Sequence, residues 1–301
     1  MLDALRTPDD RFANLPGFPW APHYVDDLPG YEGLRAAYID EGPQGADRTF
    51  LCLHGEPSWS YLYRRMIPVF LESGARVVAP DFFGFGRSDK PVNQSDYSFD
   101  FHRNYLLALV ERLDLEHITL VVQDWGGLIG LTLPIVPEFA ARLDRLIVMN
   151  TGIGTGQPAG PGFMMWKAYA MSTPDLPIGA LIARGTPHLT PEEIAAYDAP
   201  YPDASYKAGA QIFPALVPIE PDMAGADYGR AASAWWSTDW NGQSFMAVGD
   251  ADPVLGPPQM AALRKQIKGC PEPMMIAGGG HFVQEWGEPI ARAALEAFGG
   301  R

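Results

Sequence analysis

From residue 35 onward the chain alternates short apolar runs with longer amphipathic segments. The runs are residues 34–40 (LRAAYID), 48–54 (RTFLCLH), 75–81 (ARVVAPD), 118–122 (ITLVV), 145–150 (RLIVMN), 243–249 (QSFMAVG) and 273–278 (PMMIAG). Each is short enough for a strand, and most are apolar throughout rather than alternating, as strands covered on both faces are. Between them, residues 97–115 carry helical spacing, with Phe101, Tyr105, Leu109 and Leu113 four apart. Residues 257–267 and 288–298 read as the helices that follow the last two strands. Strands alternating with helices predict an α/β fold: a mostly parallel sheet flanked by helices. The first two runs read as neighbouring strands.

Residues 152–230 break the rhythm. The stretch opens rich in glycine and proline (TGIGTGQPAGPG, 151–162), then turns helical, with a capping box at Thr190 and Glu193 and no convincing strand. We read it as a helical cap inserted into a core formed by residues 1–151 and 231–301. An insertion at the C-terminal edge of such a sheet would sit over the crevice where ligands bind.

One junction concentrates the chemistry. The run HITLVV (117–122) passes through Gln123 into Asp124, Trp125, Gly126 and Gly127, and then into GLIGLTLPIV. A strand, a strained turn and a helix form a nucleophile elbow, which needs small residues beside the nucleophile. Gly126 and Gly127 supply them, although Val122 stands where a glycine is usual and no G-x-S-x-G occurs in the chain. Taken alone, Asp124 reads first as a helix N-cap. The order of the other residues favours the elbow, because such triads run nucleophile, acid, histidine along the chain. Asp250 and Asp252 follow one strand and His281 follows the next, after three glycines. Either aspartate could be the acid, Asp252 being the better placed. Residues 53–57 (LHGEP) end another strand and can turn the Glu56 N–H toward the elbow, to pair with the Trp125 N–H as an oxyanion hole. His54 then reads as structural.

An aspartate nucleophile suits displacement of a leaving group at saturated carbon, leaving an ester on the enzyme. Water activated by His281, oriented by the acid, would then attack that ester. The indole N–H of Trp125 is a donor that cannot accept, which fits an anionic leaving group. A second tryptophan from the cap would complete the clamp.

In these residues the chain resembles the haloalkane dehalogenases of the α/β-hydrolase fold. The matching stretches are LCLHGEPSWSYLYRRMIPVF, PDFFGFGRSDKP, VVQDWGG, DWNGQSFMAVGDAD, GCPEP and GHFVQEWGE, which cover nearly all of the core. Within the family the resemblance is to the subfamily that takes its acid after the penultimate strand, the one containing the 1,2-dichloroethane-degrading enzyme. The resemblance implies Asp124 as nucleophile, His281 as base, Asp252 as acid, and Glu56 and Trp125 as oxyanion donors. It implies Trp125 and Trp166 (in FMMWKAY) as halide ligands, with Phe163, Phe213, Pro214, Val217, Val254 and Leu255 lining an apolar pocket. The other subfamily would place a Glu after RLIVMN, where this chain has Asn150 and Thr151. The likeness thins over 152–165, so Trp166 also reads as an aromatic that packs the cap.

The expected reaction uses water as co-substrate and neither metal nor organic cofactor. Two readings compete. An epoxide hydrolase shares the triad but needs acid donors to the ring oxygen, for which Tyr169, Tyr197, Tyr201 and Tyr206 are available. A ligand sensor on the same fold could dispense with part of the triad.

Composition narrows the partners. With 22 Lys and Arg against 36 Asp and Glu, the formal net charge is −14, and no basic block exists to meet nucleic acid or an anionic membrane. The start has neither a basic n-region nor an apolar h-region, and no stretch is apolar enough to span a bilayer, so a cytoplasmic protein is expected. Cys52 and Cys270 have no CxxC partner, which argues against a disulfide scaffold or a zinc site. A monomer is the default.

Overall fold

The computed structural model describes residues 2–299. Its strands are β1 (Ala4–Leu5), β2 (His23–Val25), β3 (Ala36–Glu41), β4 (Thr49–Leu53), β5 (Arg76–Pro80), β6 (Lys90–Pro91), β7 (Ile118–Val122), β8 (Leu143–Met149), β9 (Gln243–Gly249) and β10 (Met274–Ile276). Among the described residues, β1 and β6 form a small antiparallel ribbon and the rest one eight-stranded sheet in the order β10-β9-β8-β7-β4-β5-β3-β2. From β10 to β5 every pairing is parallel; β3 and β2 extend the edge antiparallel. All residues of β4, β5 and β7 are buried, so their unbroken apolar runs are those of strands covered on both faces. This is the α/β-hydrolase fold.

The first two apolar runs are not neighbours. Strand β5 lies between β3 and β4, antiparallel to the first and parallel to the second. Adjacent strands are about 4.8 Å apart, so the connection over residues 42–48 has only to step across one strand's width. That is well within its reach.

The helices are α1 (Ile67–Glu72), α2 (Phe99–Arg112), α3 (Asp124–Gly130), α4 (Pro137–Ala140), α5 (Pro161–Ser172), α6 (Ile178–Arg184), α7 (Pro191–Asp198), α8 (Ala208–Leu216), α9 (Ala226–Thr238), α10 (Pro257–Gln266) and α11 (Gly287–Ala297). In α2, Ser98 caps the start by accepting from the Phe101 N–H. In α7 the capping box between Thr190 and Glu193 is formed in both directions. The described residues between β8 and β9 hold no strand. Helix α9 runs through residue 230, and its buried Trp236 donates to the Leu131 carbonyl at 2.7 Å. Residue 230 thus lies inside a helix.

No helix among the described residues is long and apolar enough to cross a membrane. Cys52 and Cys270 are free and buried. The C-terminal ends of β4, β7, β8, β9 and β10 lead into residues 54–56, 123–124, 150–151, 250–252 and 277–281. Parallel strands deliver all these segments to one edge of the sheet, and there the site forms.

Candidate active site

Asp124 leaves β7 and opens α3 with φ of +49°, a left-handed conformation uncommon for a residue with a side chain. Such strain persists only where neighbours enforce it. A Cβ on Gly126 would meet the Leu53 carbonyl oxygen at 2.0 Å, and one on Gly127 would meet Thr151 Oγ1 at 2.1 Å. The two glycines therefore let the turn close against β4 and against the end of β8. Thr151 Oγ1 donates to the Asp124 backbone oxygen at 2.6 Å, and the Asp124 N–H donates to the Asn150 carbonyl at 3.0 Å. The Glu56 N–H donates to Asp124 Oδ1 at 2.8 Å. The backbone predicted to face the elbow does so.

On the other carboxylate oxygen, His281 Nε2 lies 3.3 Å from Asp124 Oδ2. The far side of the ring is held by Asp252, whose Oδ2 is 2.8 Å from His281 Nδ1. Asp252 is saturated with donors: Asn150 Nδ2 at 3.0 Å, and the Val254 and Leu255 N–H groups at 2.8 and 3.1 Å. Burial works to raise the Asp252 carboxyl, but the His281 charge and these hydrogen bonds hold it far below the usual carboxylate range. Burial likewise works against the charged His281 ring. The Asp252 charge and the hydrogen bonds to Asp124 and Asp252 outweigh it, and the imidazole is held well above its ordinary value. Asp250, the other candidate acid, is exposed and accepts from the Gly278 N–H at 2.8 Å. It shapes a turn and does not reach the ring.

His54 is fully buried, with Nδ1 2.9 Å from the Gly55 oxygen and Nε2 accepting from the Phe82 N–H at 3.0 Å. It braces the loop that carries Glu56, as its structural reading requires.

Asp124, Asp252 and His281 open onto a cavity of about 870 Å³, which Glu56, Trp125 and Trp166 also line. Glu56 has its carboxyl in this wall, with Oε1 buried and unpartnered among the described residues. Burial, reinforced by the Asp124 charge, pushes that carboxyl well above the usual range, while His281 and a hydrogen bond with Trp166 pull the other way. The neutral acid is thereby favoured beside the Asp124 carboxylate.

The family described as alpha/beta hydrolase fold matches residues 48–288. The haloalkane dehalogenase of Psychrobacter cryohalolentis is 46% identical over 303 residues, covering 98% of this chain and 98% of its own. That of Mycobacterium marinum is 44% identical, covering 94% of this chain and 95% of its own. The chain belongs to the haloalkane dehalogenases. The solved tetrameric haloalkane dehalogenase DpaA of Paraglaciecola agarilytica shares 52% identity, covers 99% of both chains and superimposes with a TM-score of 0.97.

Of the apolar residues singled out in the sequence, Phe163, Pro214, Val217, Val254 and Leu255 line this cavity, and Phe213 does not. The Phe213 ring is fully buried behind Trp125, with centroids 4.7 Å apart, and packs equally closely on Phe85 and His102. Helix α8 explains the difference: successive residues point about 100° apart, so Pro214 meets the cavity while Phe213 meets the core. Further wall residues are Leu128, Ile153, Leu181, Ile219 and Phe282. Gln123, at the end of apolar β7, turns its side-chain amide to His281, and nothing in the apolar pattern of that strand marks it.

Proposed function

We propose that the chain hydrolyses small haloalkanes to alcohol, halide and a proton, in two steps. Asp124 Oδ2 attacks the carbon bearing the halogen, and halide leaves with the bonding pair, stabilised by the Trp125 and Trp166 indoles. The product is an alkyl ester of Asp124. His281 Nε2 then takes a proton from water as the water oxygen adds to the ester carbonyl, whose developing charge falls between the Glu56 and Trp125 N–H groups. Collapse expels the alkoxide, which takes the proton from His281 and leaves as the alcohol, and the acid proton remaining on Asp124 passes to solvent, restoring the carboxylate. Asp252 holds the ring and stabilises the imidazolium.

One observation carries this reading: a single imidazole spans Asp252 and Asp124, while the Glu56 N–H meets the same Asp124 carboxylate. The acid at Asp252, with Asn150 hydrogen-bonded to it, supports the subfamily that takes its acid after β9. The helices between β8 and β9 act as the cap. A monomer suffices for the chemistry, because one chain supplies the whole site. The acidic surface and two unpaired cysteines suit the cytoplasm.

Epoxide opening is disfavoured, because Tyr169, Tyr197, Tyr201 and Tyr206 are all absent from the cavity wall. The Tyr197 hydroxyl is bonded to Glu285 and that of Tyr201 to the Pro57 oxygen. A sensor would not need every member of the triad in register.

The test is His281→Phe exposed to a short bromoalkane. Intact mass should rise by the alkyl group, less one proton, with one equivalent of bromide released. An unmodified mass, with no halide from the wild type across short chloro-, bromo- and iodoalkanes, would refute the assignment.

A further inference from the structure

Gln123 is fully buried, and its amide Nε2 lies 2.9 Å from the His281 backbone oxygen and 3.1 Å from His281 Nε2. A carbonyl oxygen only accepts, so the group facing it is the amide NH2, and the second N–H of that group is turned to the ring nitrogen. Gln284, also fully buried, donates from Nε2 to Gln123 Oε1 at 3.2 Å and fixes the amide from its other end. His281 Nε2 therefore has two neighbours with opposite demands. The Asp124 carboxylate, 3.3 Å away, is served by a protonated Nε2, whereas the Gln123 amide is served by its lone pair.

We infer that Gln123 is a positioning residue that favours the unprotonated Nε2 of His281 once Asp124 has been alkylated, so that the ring enters the hydrolytic step as a base. The inference rests on the two-step reading above. In the free enzyme the Asp124 carboxylate competes for the proton. Alkylation forms the O–C bond, releases halide with its electron pair and leaves a neutral ester. The demand of Asp124 for an N–H then falls away, any proton on Nε2 passes to solvent, and the amide N–H still faces the lone pair. Nε2 next takes a proton from water while the water oxygen adds to the ester. The charged and titratable groups facing the ring are Asp252, Asp124 and Glu56. Asp252 acts on Nδ1, so Gln123 is the uncharged group that distinguishes the two states of Nε2.

The test measures both half-reactions across pH by rapid quench with a short bromoalkane, in wild type, Gln123→Met, Gln284→Met and Gln123→Glu. Methionine keeps the bulk and removes the donor. The halide burst should stay stoichiometric in both methionine variants. Losing a hydrogen bond of about 1 kcal/mol to the lone pair should slow ester hydrolysis about five- to tenfold in Gln123→Met. The rising limb of its pH profile should move up by up to about one unit, because the ring then keeps its proton more tightly. Gln284→Met should shift both in the same direction by less. Gln123→Glu, which presents an acceptor, should accumulate alkyl-enzyme. Hydrolysis unchanged, or slowed equally at every pH, would overturn the inference, as would loss of the burst in the Gln123 variants alone. A wild type that releases no halide from any short haloalkane would instead refute the dehalogenase reading itself.

Discussion

Replacing Phe213 with leucine separates two ways in which an aromatic can matter to this site. The ring is fully buried, and its centroid lies 4.6–4.7 Å from those of His102, Phe85 and Trp125. Aromatic pairs at such distances contribute about 0.5–1.5 kcal/mol each beyond the area they bury. Leucine restores most of the apolar contact, so the low end applies, and three pairs amount to about 1.5 kcal/mol. At roughly 2–4 °C per kcal/mol for a chain of this size, the melting temperature should fall by about 3–6 °C. Trp125 would lose the ring behind it, and its indole would be less firmly aimed. Halide affinity, followed by quenching of tryptophan fluorescence, should weaken about three- to tenfold, since that range corresponds to about 0.7–1.4 kcal/mol. The preference among short bromoalkanes of increasing length should not change, because the cavity wall itself is untouched. A variant with normal halide affinity but a shifted chain-length preference would place the ring on the wall and refute the argument.

Three further outcomes are expected. Trp166→Phe removes one donor from a desolvated anion site, worth about 1.5–3 kcal/mol for a charged partner, so the burst rate should fall roughly 10- to 150-fold; an unchanged burst would remove Trp166 from the halide site. Asp252→Asn should keep the burst and slow ester hydrolysis by about 10³–10⁴, the scale on which a triad acid acts. The lowered Asp252 carboxyl stabilises the fold above about pH 4, and the raised His281 ring below its own folded value. The stability gap between wild type and Asp252→Asn in urea should therefore close as pH falls below about 4, and again as it rises through the His281 value; a gap constant with pH would contradict the pairing. Arg64→Met should cost about 3 kcal/mol in urea, because Glu285 would stay buried with the half-exposed Arg65 as its remaining cation. Its kcat/KM should stay within twofold once the folded fraction is accounted for.

Much of this site is legible in the sequence because parallel strands bring residues far apart in the chain to one edge. An acid after β9 and a histidine after β10 need only strand-end positions to be placed near Asp124. The resemblance favours Asp252 over Asp250, but spacing alone does not separate them, since two residues at a turn point in different directions. Asp250 caps Gly278, while Asp252 meets the ring. Phe213 and Pro214 differ by one helical step, which likewise lies below the resolution of a pattern. The order of β3, β5 and β4 escapes for another reason: a seven-residue connection can make a hairpin or step over a strand. Gln123 escapes because its amide acquires a direction only when His281, 158 residues later, arrives beside it.

Two segments between β8 and β9 are held very differently. Helix α7 is pinned: Arg64 and Arg65 bind its Glu193, and its Tyr197 meets the buried Glu285. Residues 152–163, by contrast, supply much of the cavity wall, and there glycine and proline predominate and no element lies between β8 and α5. Changes of length or bulk in that stretch would reshape the space around the substrate without moving Asp124, Asp252 or His281. On the proposed reading this stretch can be varied to seek new halogenated substrates while the residues assigned to the chemistry are left alone.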